Sequence, residues 1–482
     1  MSNHLITNFS GGMNSKVSPL LIKDTECELV VNYNLDKVGA LTKRNGYDVF
    51  ASQPVAAMRV NGLFQYTNTN TPAETTQVMV ANVAGNANGI IYYNNSGTWT
   101  ASKSNDTASL KSRFATFVDY LFRVNGTNVV ASSKDVNGGI WGTTNCPATI
   151  TPAFISVFQD RLYVAKGSAS GQLSRVWFSG LPSAAETLPA WGVNDYFDVN
   201  PDDGDEIRAL ENNGNRLLIF KNRALYRWTF GQVEPDRLIG VGTQSQECVK
   251  TNLDLGITFF ANEYGAYAYT GGRPSLISRK IQDWFDNIPA TDVDDMVAET
   301  DADHYYLYLS DSMTVGGTTY TKVIAVYTIS LNAWTIYTLN TPWRVASKLI
   351  QSNSEDIYFG SSNGRTYQWN SGIADDSGGT NGDTAVSIAG EIIFKEQLLN
   401  FPSKTDIQNI DTIVQDGMTA NLSYQLDRGG DFKPVGKNLI ERVNNARLGK
   451  EGQTIRVRIT DNGASQSVIE GLNIEHNPKK ER

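Results

Sequence analysis

Apolar and polar residues alternate along most of the chain in short stretches, which Gly-, Asn- and Ser-rich turns separate. A period of two residues predicts β-strands with one buried face. Examples are VMVANV, RLYVAK, RLLIF and ITFFAN. Each is followed by a turn and a second strand that carries aromatic residues. The pattern therefore predicts an all-β fold.

One two-strand unit recurs between about residues 77 and 370. Its seven copies carry second-strand aromatic residues at Tyr92, Trp141, Trp177, Tyr226, Tyr267, Tyr327 and Tyr367. The mean interval of about 46 residues is typical of β-propeller blades, whose faces bury one another. We therefore predict a β-propeller of about seven blades over residues 56–372. The alternative is a large β-sandwich with hairpins that recur by coincidence.

The pattern changes after the polar stretch 373–386, which we interpret as a linker. Residues 387–482 contain five or more alternating strands and a hairpin turn at Arg428, Gly429 and Gly430. A region of about 95 such residues fits a small β-sandwich or jelly roll. Residues 1–55, which precede the first repeat, form an N-terminal region with a hairpin at 34–50.

Two stretches depart from the strand pattern. The first is an insertion before Pro289, in the longest interval between repeats, with apolar residues at helical spacing. These residues are Ile281, Trp284, Phe285 and Ile288. We predict that they form a subunit interface; covering the core of their own chain is the alternative. In the second stretch, Thr25 and Glu28 have capping-box spacing and predict a short helix.

Composition and charge narrow the functional classes. Only 19% of the 482 residues are charged, so charge-driven disorder is excluded. The net charge of −9 provides no large basic field for holding nucleic acid. The N-terminus lacks the pattern of a signal peptide, and no apolar run reaches the ~18 residues that span a membrane. We expect a soluble protein without its own export signal.

Candidate catalytic and metal-binding residues are few. Cys27, Cys146 and Cys248 are far apart and fit no metal or disulfide framework. His304 lies in a repeat strand without a nucleophile motif nearby. The acidic stretch around Gly204 lacks EF-hand spacing, so we interpret it as a solvated turn, with calcium binding as the alternative. We predict no enzyme activity, no cofactor and no metal.

The N-terminal region resembles the start of many bacteriophage virion proteins, in which a Gly-Gly stretch, a Ser-Pro turn and a hairpin precede a propeller. The matching residues are Gly11, Gly12, Ser18, Pro19, Asn34, Gly39, Leu41, Lys43, Arg44, Gly46 and Tyr47. Residues 203–231 are similar to a blade of phage tail nozzle and tail-hub propellers, which include packaged-DNA stabilising proteins of short-tailed phages. The C-terminal strands resemble the sandwich that ends such chains.

The resemblance implies a structural virion protein without catalytic residues. Nozzle proteins form homo-hexameric rings that extend the portal–adaptor channel of the tail, retain packaged DNA and conduct it on ejection. The implied partners are further copies, the portal or adaptor, other tail proteins including fibres, and double-stranded DNA in transit. The implied location is the virion tail, after assembly in the host cytoplasm. The alternatives are a receptor- or glycan-binding tail component and a glycan-cleaving propeller enzyme.

In this context the hairpin at 34–50 is interpreted as a clasp. We expect it to complete the first or last blade, or to dock a neighbouring subunit. Completing a blade would close the ring and remove an exposed strand edge. The predicted assembly residues are Asn34, Gly39, Leu41, Lys43, Arg44, Gly46 and Tyr47.

Overall fold

Strands make up most of the fold. The computed structural model describes residues 2–478 apart from 52–57, 69–75, 84–87, 96, 144–149, 170, 183–189, 233, 352–353, 377–383, 416–419, 440–441 and 464–465. Within these ranges, helix is confined to short segments. The 3-10 turns are Pro201–Asp203, Gln246–Cys248, Ser278–Ile281 and Val293–Asp295, and the single α-helical turn, α1, is Gln282–Phe285. The predicted all-β class is confirmed.

The N-terminal region is built from six strands between residues 2 and 51. They are β1 (Ser2–Ile6), β2 (Gly12–Met13), β3 (Glu26–Val31), β4 (Tyr33–Asn34), β5 (Leu41–Lys43) and β6 (Tyr47–Ala51). The helix predicted from Thr25 and Glu28 is wrong, because Glu28 lies within β3. Val30 and Val31 pair with strand residues of the C-terminal region, and this tertiary pairing overrides the local capping signal.

Seven four-stranded antiparallel blades form the propeller in the described ranges between residues 47 and 369. Five of them are separate sheets, and the last two are parts of larger sheets that continue into other strands. Blades 1 and 2 contain β7 (Met58–Tyr66), β8 (Thr76–Val83), β9 (Asn88–Asn95), β10 (Thr98–Thr107), β11 (Arg113–Phe117), β12 (Tyr120–Val124), β13 (Ala131–Asp135) and β14 (Ile140–Thr143). Blades 3 and 4 contain β15 (Phe154–Phe158), β16 (Arg161–Ala165), β17 (Arg175–Phe178), β18 (Tyr196–Asp198), β19 (Ile207–Asn212), β20 (Leu217–Lys221), β21 (Leu225–Trp228) and β22 (Asp236–Ile239).

The remaining blades follow the same meander. Blades 5 and 6 contain β23 (Lys250–Asn252), β24 (Ile257–Asn262), β25 (Gly265–Tyr269), β26 (Ser275–Leu276), β27 (Val297–Thr300), β28 (His304–Val315), β29 (Thr318–Thr328) and β30 (Ala333–Thr338). Blade 7 contains β31 (Val345–Gln351), β32 (Ser354–Gly360), β33 (Thr366–Trp369) and, as its fourth strand, β6. The first strands of successive blades contact one another, and β31 contacts β7. The ring is therefore closed, and the predicted propeller is confirmed.

Hydrophobic cores lie between neighbouring blades, as expected for sheets that bury each other's faces. One core joins blades 7 and 1 through Ala51, Val60 and Tyr358. Six of the seven predicted aromatic residues lie in the third strand of a blade, whereas Trp141 lies in β14, a fourth strand. The third strand of blade 2 reads ASSKD and has no aromatic residue. The aromatic residue predicted for it, Trp141, therefore lies one strand later.

Two sheets form the C-terminal sandwich. After β34 (Asp375–Asp376) and β35 (Ala385–Val386), its strands are β36 (Gly390–Phe394), β37 (Gln397–Leu398), β38 (Thr405–Val414), β39 (Ala420–Leu426), β40 (Lys433–Leu439), β41 (Val443–Gly452), β42 (Thr454–Asp461) and β43 (Val468–Pro478). One sheet has the order β4-β5-β43-β38-β41, with β1 also on β43, and the other the order β3-β36-β42-β39-β40. Strand β3 also pairs with β30 of blade 6.

The N-terminal region is therefore not a separate unit, as the boundary at residue 55 implied. Its strands β1, β3, β4 and β5 belong to the sandwich sheets, and β6 belongs to blade 7. The predicted linker also carries structure where it is described, because Asp375 pairs with Val386 and with Tyr47. Pairing between distant segments leaves no signal in either segment alone.

Candidate functional site

The Lys43–Tyr47 segment lies where the sandwich meets blades 6 and 7, and we call it the junction segment. Arg44 is buried there and its guanidinium uses all five of its N–H donors. Nη1 and Nη2 donate to the two oxygens of Asp375 at 2.7 and 2.6 Å, and Nε donates to Asn32 Oδ1 at 2.9 Å. The backbone oxygens of Thr338 and Asn45 accept the other two hydrogen bonds.

Lys43 binds on the sandwich side of the junction segment. Its buried Nζ donates to Asp461 Oδ2 at 3.2 Å and to the backbone oxygen of Gly463 at 2.5 Å. Ser467 donates to the same oxygen of Asp461 and lies 3.2 Å from the Tyr33 hydroxyl. Adjacent residues of an extended chain point to opposite sides. Lys43 and Arg44 therefore face different partners, one in the sandwich and one beside the propeller.

Gly46 and Tyr47 complete the junction segment at blade 7. A Cβ on Gly46 would lie 1.7 Å from the backbone oxygen of Ala374, so only glycine allows this approach. The fully buried Tyr47 ring packs against three aromatic rings of blade 7, with centroid distances of 5.2 to 6.2 Å. These rings are Phe359, Tyr367 and Trp369. Tyr47 thereby anchors β6 as the last strand of the propeller.

The remaining predicted clasp residues lie in the sandwich. Asn34 is in β4, and the buried Leu41 in β5 is paired with Ile469 of β43. Gly39 has a φ of 85° in the turn between these strands, and its backbone oxygen accepts a hydrogen bond from the N–H of Phe9. The seven predicted residues are therefore split between the sandwich and the contact with blades 6 and 7, and their described contacts lie within the chain.

His304 ties the clasp hairpin to blade 6. Its Nε2 lies 3.1 Å from Asp36 Oδ1, in the hairpin, and its Nδ1 lies 3.1 Å from Asp301 Oδ1. Burial alone would lower the pKa of His304, but the nearby carboxylates of Asp301 and Asp36 outweigh burial and raise the pKa to about 10. The imidazolium at neutral pH is thus a link between propeller and clasp, a role beyond that of an ordinary strand residue.

The insertion predicted to be a subunit interface is buried inside the chain, so that prediction needs correction. Ile281, Trp284 and Phe285 are at most 2% exposed, and Ile288 packs against the same core. Trp284 contacts Tyr320 of β29 with a centroid distance of 4.9 Å. The side chains of Ile281, Trp284 and Phe285 are therefore not available to a second subunit.

Polar groups of the insertion, from both backbone and side chains, contact the N-terminal region. Ser15 donates to Asp283 Oδ1 at 2.5 Å, and the N–H groups of Ser15 and Lys16 both donate to the backbone oxygen of Lys280. Lys280 Nζ in turn donates to the backbone oxygen of Gly11 at 3.2 Å. The interface of the insertion is the one between the propeller and the chain's own N-terminus.

The acidic stretch around Gly204 surrounds an ammonium group of the protein itself. The fully buried Lys221 Nζ donates to Asp203 Oδ1 at 2.7 Å, and to Ser174 Oγ and the backbone oxygen of Asn200 at 3.0 Å each. The Tyr226 hydroxyl lies 3.5 Å from Asp203 Oδ2. We call this group the Lys221 cluster. Its central position is filled by the lysine, so neither calcium binding nor a merely solvated turn describes it.

An ion pair crosses the axial channel of the propeller. Arg113 of blade 2 lies 2.8 Å from Glu247, in the connection before blade 5, and Lys111 also lies within ion-pair distance of Glu247. Burial opposes ionisation of Glu247, but Arg113 and Lys111 outweigh it and hold its pKa at about 2. Because these blades are not neighbours in the ring, the pair bridges the channel.

A cavity of about 690 Å³ in this channel is lined by inner-strand residues, including Glu211 and Lys250. Lys250 Nζ lies 2.9 Å from Glu299 Oε2. Burial raises the pKa of Glu211 to about 7, although the Thr251 hydroxyl and Lys250 oppose this effect. Glu211 and Glu247, which are 36 positions apart, thus line the same cavity on the axis, and no local sequence pattern predicts this.

The described residues carry neither a metal-binding cluster nor a helix that could span a membrane. No group of three or more His, Cys, Asp or Glu side chains there could hold a metal ion. Cys27 and Cys248 are buried free thiols, and burial raises the pKa of Cys248 to about 11; Cys146 lies outside the described ranges. No helix in the described part of the chain is long and apolar enough to cross a membrane.

Known proteins resemble this chain in fold alone. No protein-family model and no curated protein sequence matches it. Among solved structures, YCF48 bound to D1 peptide is 9% identical, with a TM-score of 0.40, 67% of this chain covered and 95% of that chain. The WD40 domain of Sif2 is 12% identical, with a TM-score of 0.38, 71% of this chain covered and 94% of that one.

A third solved structure is the extracellular domain of BT4673 from B. thetaiotaomicron. It is 10% identical, with a TM-score of 0.42 and 84% of this chain covered. The chain spans about half of that structure's length, at 48%. These likenesses are distant and carry no argument about partners or activity.

Proposed function

We propose that this chain is a structural virion protein of a phage tail, forming a ring of six copies. The ring extends the portal–adaptor channel, retains packaged DNA and conducts it on ejection. Its partners are further copies, the adaptor or portal, other tail proteins including fibres, and DNA in transit. It is located in the virion tail after assembly in the host cytoplasm, and it catalyses no reaction.

The observation that carries the proposal is the place of the two stretches that resemble nozzle propellers. The first supplies the junction segment, where Arg44 and Tyr47 bind the clasp to the propeller. The second supplies the Lys221 cluster of blade 4. Both stretches hold the chain's own parts together. The residues that carry the resemblance hold the fold together, and this fits a structural protein better than an enzyme.

The DNA path in this proposal runs through the lumen of the ring, between copies. The axis of a single propeller is not the path, since the ion pair of Arg113 and Glu247 crosses it. Six copies carry a formal charge of −54, six times −9. Acidic groups at the lumen repel phosphates over about 10 Å at 0.1 M salt, which keeps DNA from adhering. Charges elsewhere on the surface serve solubility.

The mass of the purified protein in solution, alone and mixed with the adaptor ring of its own phage, tests the proposal. We expect six chains per particle, with or without the adaptor as template, and sixfold rings in electron micrographs. In a control mixture, an unrelated protein ring of similar charge replaces the adaptor, to measure non-specific adsorption of the protein to a ring. A persistent monomer or trimer in both conditions would contradict the nozzle role.

A receptor- or glycan-binding tail component is the second candidate, favoured by the cleft between blades 4 and 5 described below. Glycan cleavage is less favoured. Glu247 on the axis is held by Arg113 and Lys111, and an ion-paired carboxylate of this kind is a weak base for catalysis.

A further inference from the structure

A cleft of about 750 Å³ opens between blades 4 and 5, beside the Lys221 cluster. One wall is the turn between β20 and β21, which carries Asn222 and Arg223. The opposite wall is the turn between β24 and β25, which carries Glu263 and Tyr264. The connection from Gly240 to Gln244 runs between the walls. The two turns occupy equivalent places in neighbouring blades.

The walls of the cleft are fixed by hydrogen bonds. Asp205 Oδ2 accepts from the backbone N–H of Arg223 at 2.9 Å. On the other wall, Asn262 Oδ1 accepts from the backbone N–H of Tyr264 at 2.8 Å, and Asn262 Nδ2 donates to the backbone oxygen of Gly242 at 2.9 Å. The side chains on the walls are therefore presented from a preformed frame, which lowers the entropy cost of binding.

Two guanidinium groups line the cleft without an ion-pair partner among the described carboxylates. They belong to Arg223 and Arg237, which are both exposed. A Cβ on Gly240 would lie 3.5 Å from Arg237 Nη2 and 3.9 Å from the Arg223 backbone oxygen, so the Arg237 side chain reaches the wall of Arg223. A guanidinium binds a carboxylate through two parallel N–H donors, which makes an arginine pair an anion site.

The described acidic residues of the cleft are not bound to the guanidinium groups of these arginines. Asp203 is ion-paired with Lys221, and Asp205 is held by backbone and amide N–H groups. Glu263 is the remaining carboxylate among the described lining residues. Asp205 stays ionised, so Asp205 and Glu263 balance the two arginines in formal charge. The oxygens of Asp205 are taken up by N–H donors, whereas the guanidiniums have no carboxylate partner among the described residues, and the cleft favours a ligand that brings one carboxylate together with neutral polar groups.

Two further groups suit a sugar. Gln244 lines the cleft, and its Oε1 is buried without a partner within the described residues, so rotation of this side chain toward the cleft would let it accept a ligand hydroxyl. The Tyr264 ring is 65% exposed at the rim and offers a flat apolar face to the C–H groups of a sugar ring. An anion alone would need neither feature.

We propose that this cleft binds an acidic oligosaccharide. Arg223 and Arg237 hold the carboxylate of one sugar, Gln244 accepts a hydroxyl, and the ring of Tyr264 packs against a sugar face. The proposal gives the chain a role in recognising an acidic glycan, beyond its role in the ring. It does not require ring assembly, so either proposal can fail without the other.

Calorimetric titration of the full chain tests the cleft with two carboxylate-bearing probes, sialyllactose and digalacturonate. Lactose, inorganic phosphate and a short DNA duplex are the comparison ligands. We expect at least one acidic sugar to bind about tenfold or more tightly than lactose, phosphate or DNA, because the charged and neutral groups act together. Arg237→Ala and Gln244→Ala should each weaken that binding, with the larger loss, about tenfold, for Arg237→Ala.

Arg216→Ala is the matched control, since Arg216 is an exposed arginine of the same blade at the opposite end of β20. It should leave sugar binding unchanged, and circular dichroism should show all variants folded. Failure of both acidic sugars to bind would overturn the proposal. So would phosphate or DNA binding as tightly as the sugars, because the cleft would then be an unselective anion site.

Discussion

The junction segment and the Lys221 cluster both bury a cation, but they connect parts of the chain at very different distances. Arg44 pairs with Asp375, 331 positions away, whereas Lys221 pairs with Asp203, 18 positions away. The first pair binds the chain's N-terminal region to the strand that follows the propeller, and the second orders one blade. A buried ion pair thus joins distant parts of the chain at the junction segment, whereas in the Lys221 cluster it orders a single blade.

Of the three substitutions considered, removal of Arg44 should lower the free energy of unfolding the most. Arg44→Ala leaves Asp375 buried without its counter-ion, and we expect the free energy of unfolding to fall by about 3–5 kcal/mol. Urea unfolding, followed at the first transition, measures this loss. The control is Arg442→Ala, which removes an exposed pair with Glu470 and should cost less than about 1 kcal/mol. Equal losses in the two variants would show that Arg44 does not stabilise closure.

Removing Lys221 should have a smaller and more local effect. Asp203 is 21% exposed and water can hydrate it in the variant. We therefore expect Lys221→Met to lower the free energy of unfolding by about 2 kcal/mol. Hydrogen exchange should become faster in blade 4 and stay unchanged in blade 7. In Arg44→Ala, hydrogen exchange should instead become faster in blade 7 and the sandwich. Faster exchange of blade 7 in Lys221→Met would remove the distinction between the two clusters.

The link through His304 should be the weakest of the three and depend on pH. The pKa of His304 is raised from its ordinary value of 6.5 to about 10. Its stabilising contribution is therefore complete below about pH 6.5 and is lost as the pH rises through 10. We expect native protein to exceed His304→Asn in unfolding free energy by about 1 kcal/mol at pH 6.5, because Asp36 is exposed. The gap should narrow as the pH rises from 6.5 and close above pH 10; a constant gap would exclude the ion pair.

The propeller could be predicted because each blade makes its main contacts within a short stretch of sequence. Alternation and aromatic positions therefore reported six of the third strands correctly. The prediction failed at Trp141, where the third strand is polar, and at Glu28, where a distant strand decided the local structure. Local patterns report local contacts, and the termini of this chain have few of them.

The site residues illustrate the same limit. Lys43, Arg44, Gly46 and Tyr47 were identified from a resemblance, but their partners Asn32, Asp375 and Asp461 were not. Two adjacent cations in an extended segment indicate two acids on opposite sides, yet the sequence contains 50 acids and does not say which ones. Burial of Trp284 was likewise invisible, because helical spacing of apolar residues is the same for a core and for an interface.

The clasp also fixes the order in which the molecule can be finished during translation. Tyr47 leaves the ribosome early, but its partner strand around Tyr367 and the sandwich strand that holds Leu41 are made much later. At ordinary elongation rates of about 5 to 20 residues per second, the wait is roughly 15 to 65 s for the blade strand and roughly 20 to 85 s for the sandwich strand. Throughout that time the last blade cannot close, and the N-terminal strands have no sheet to join. A nascent chain of this design depends on protection of its first 50 residues until the last strand has been synthesised.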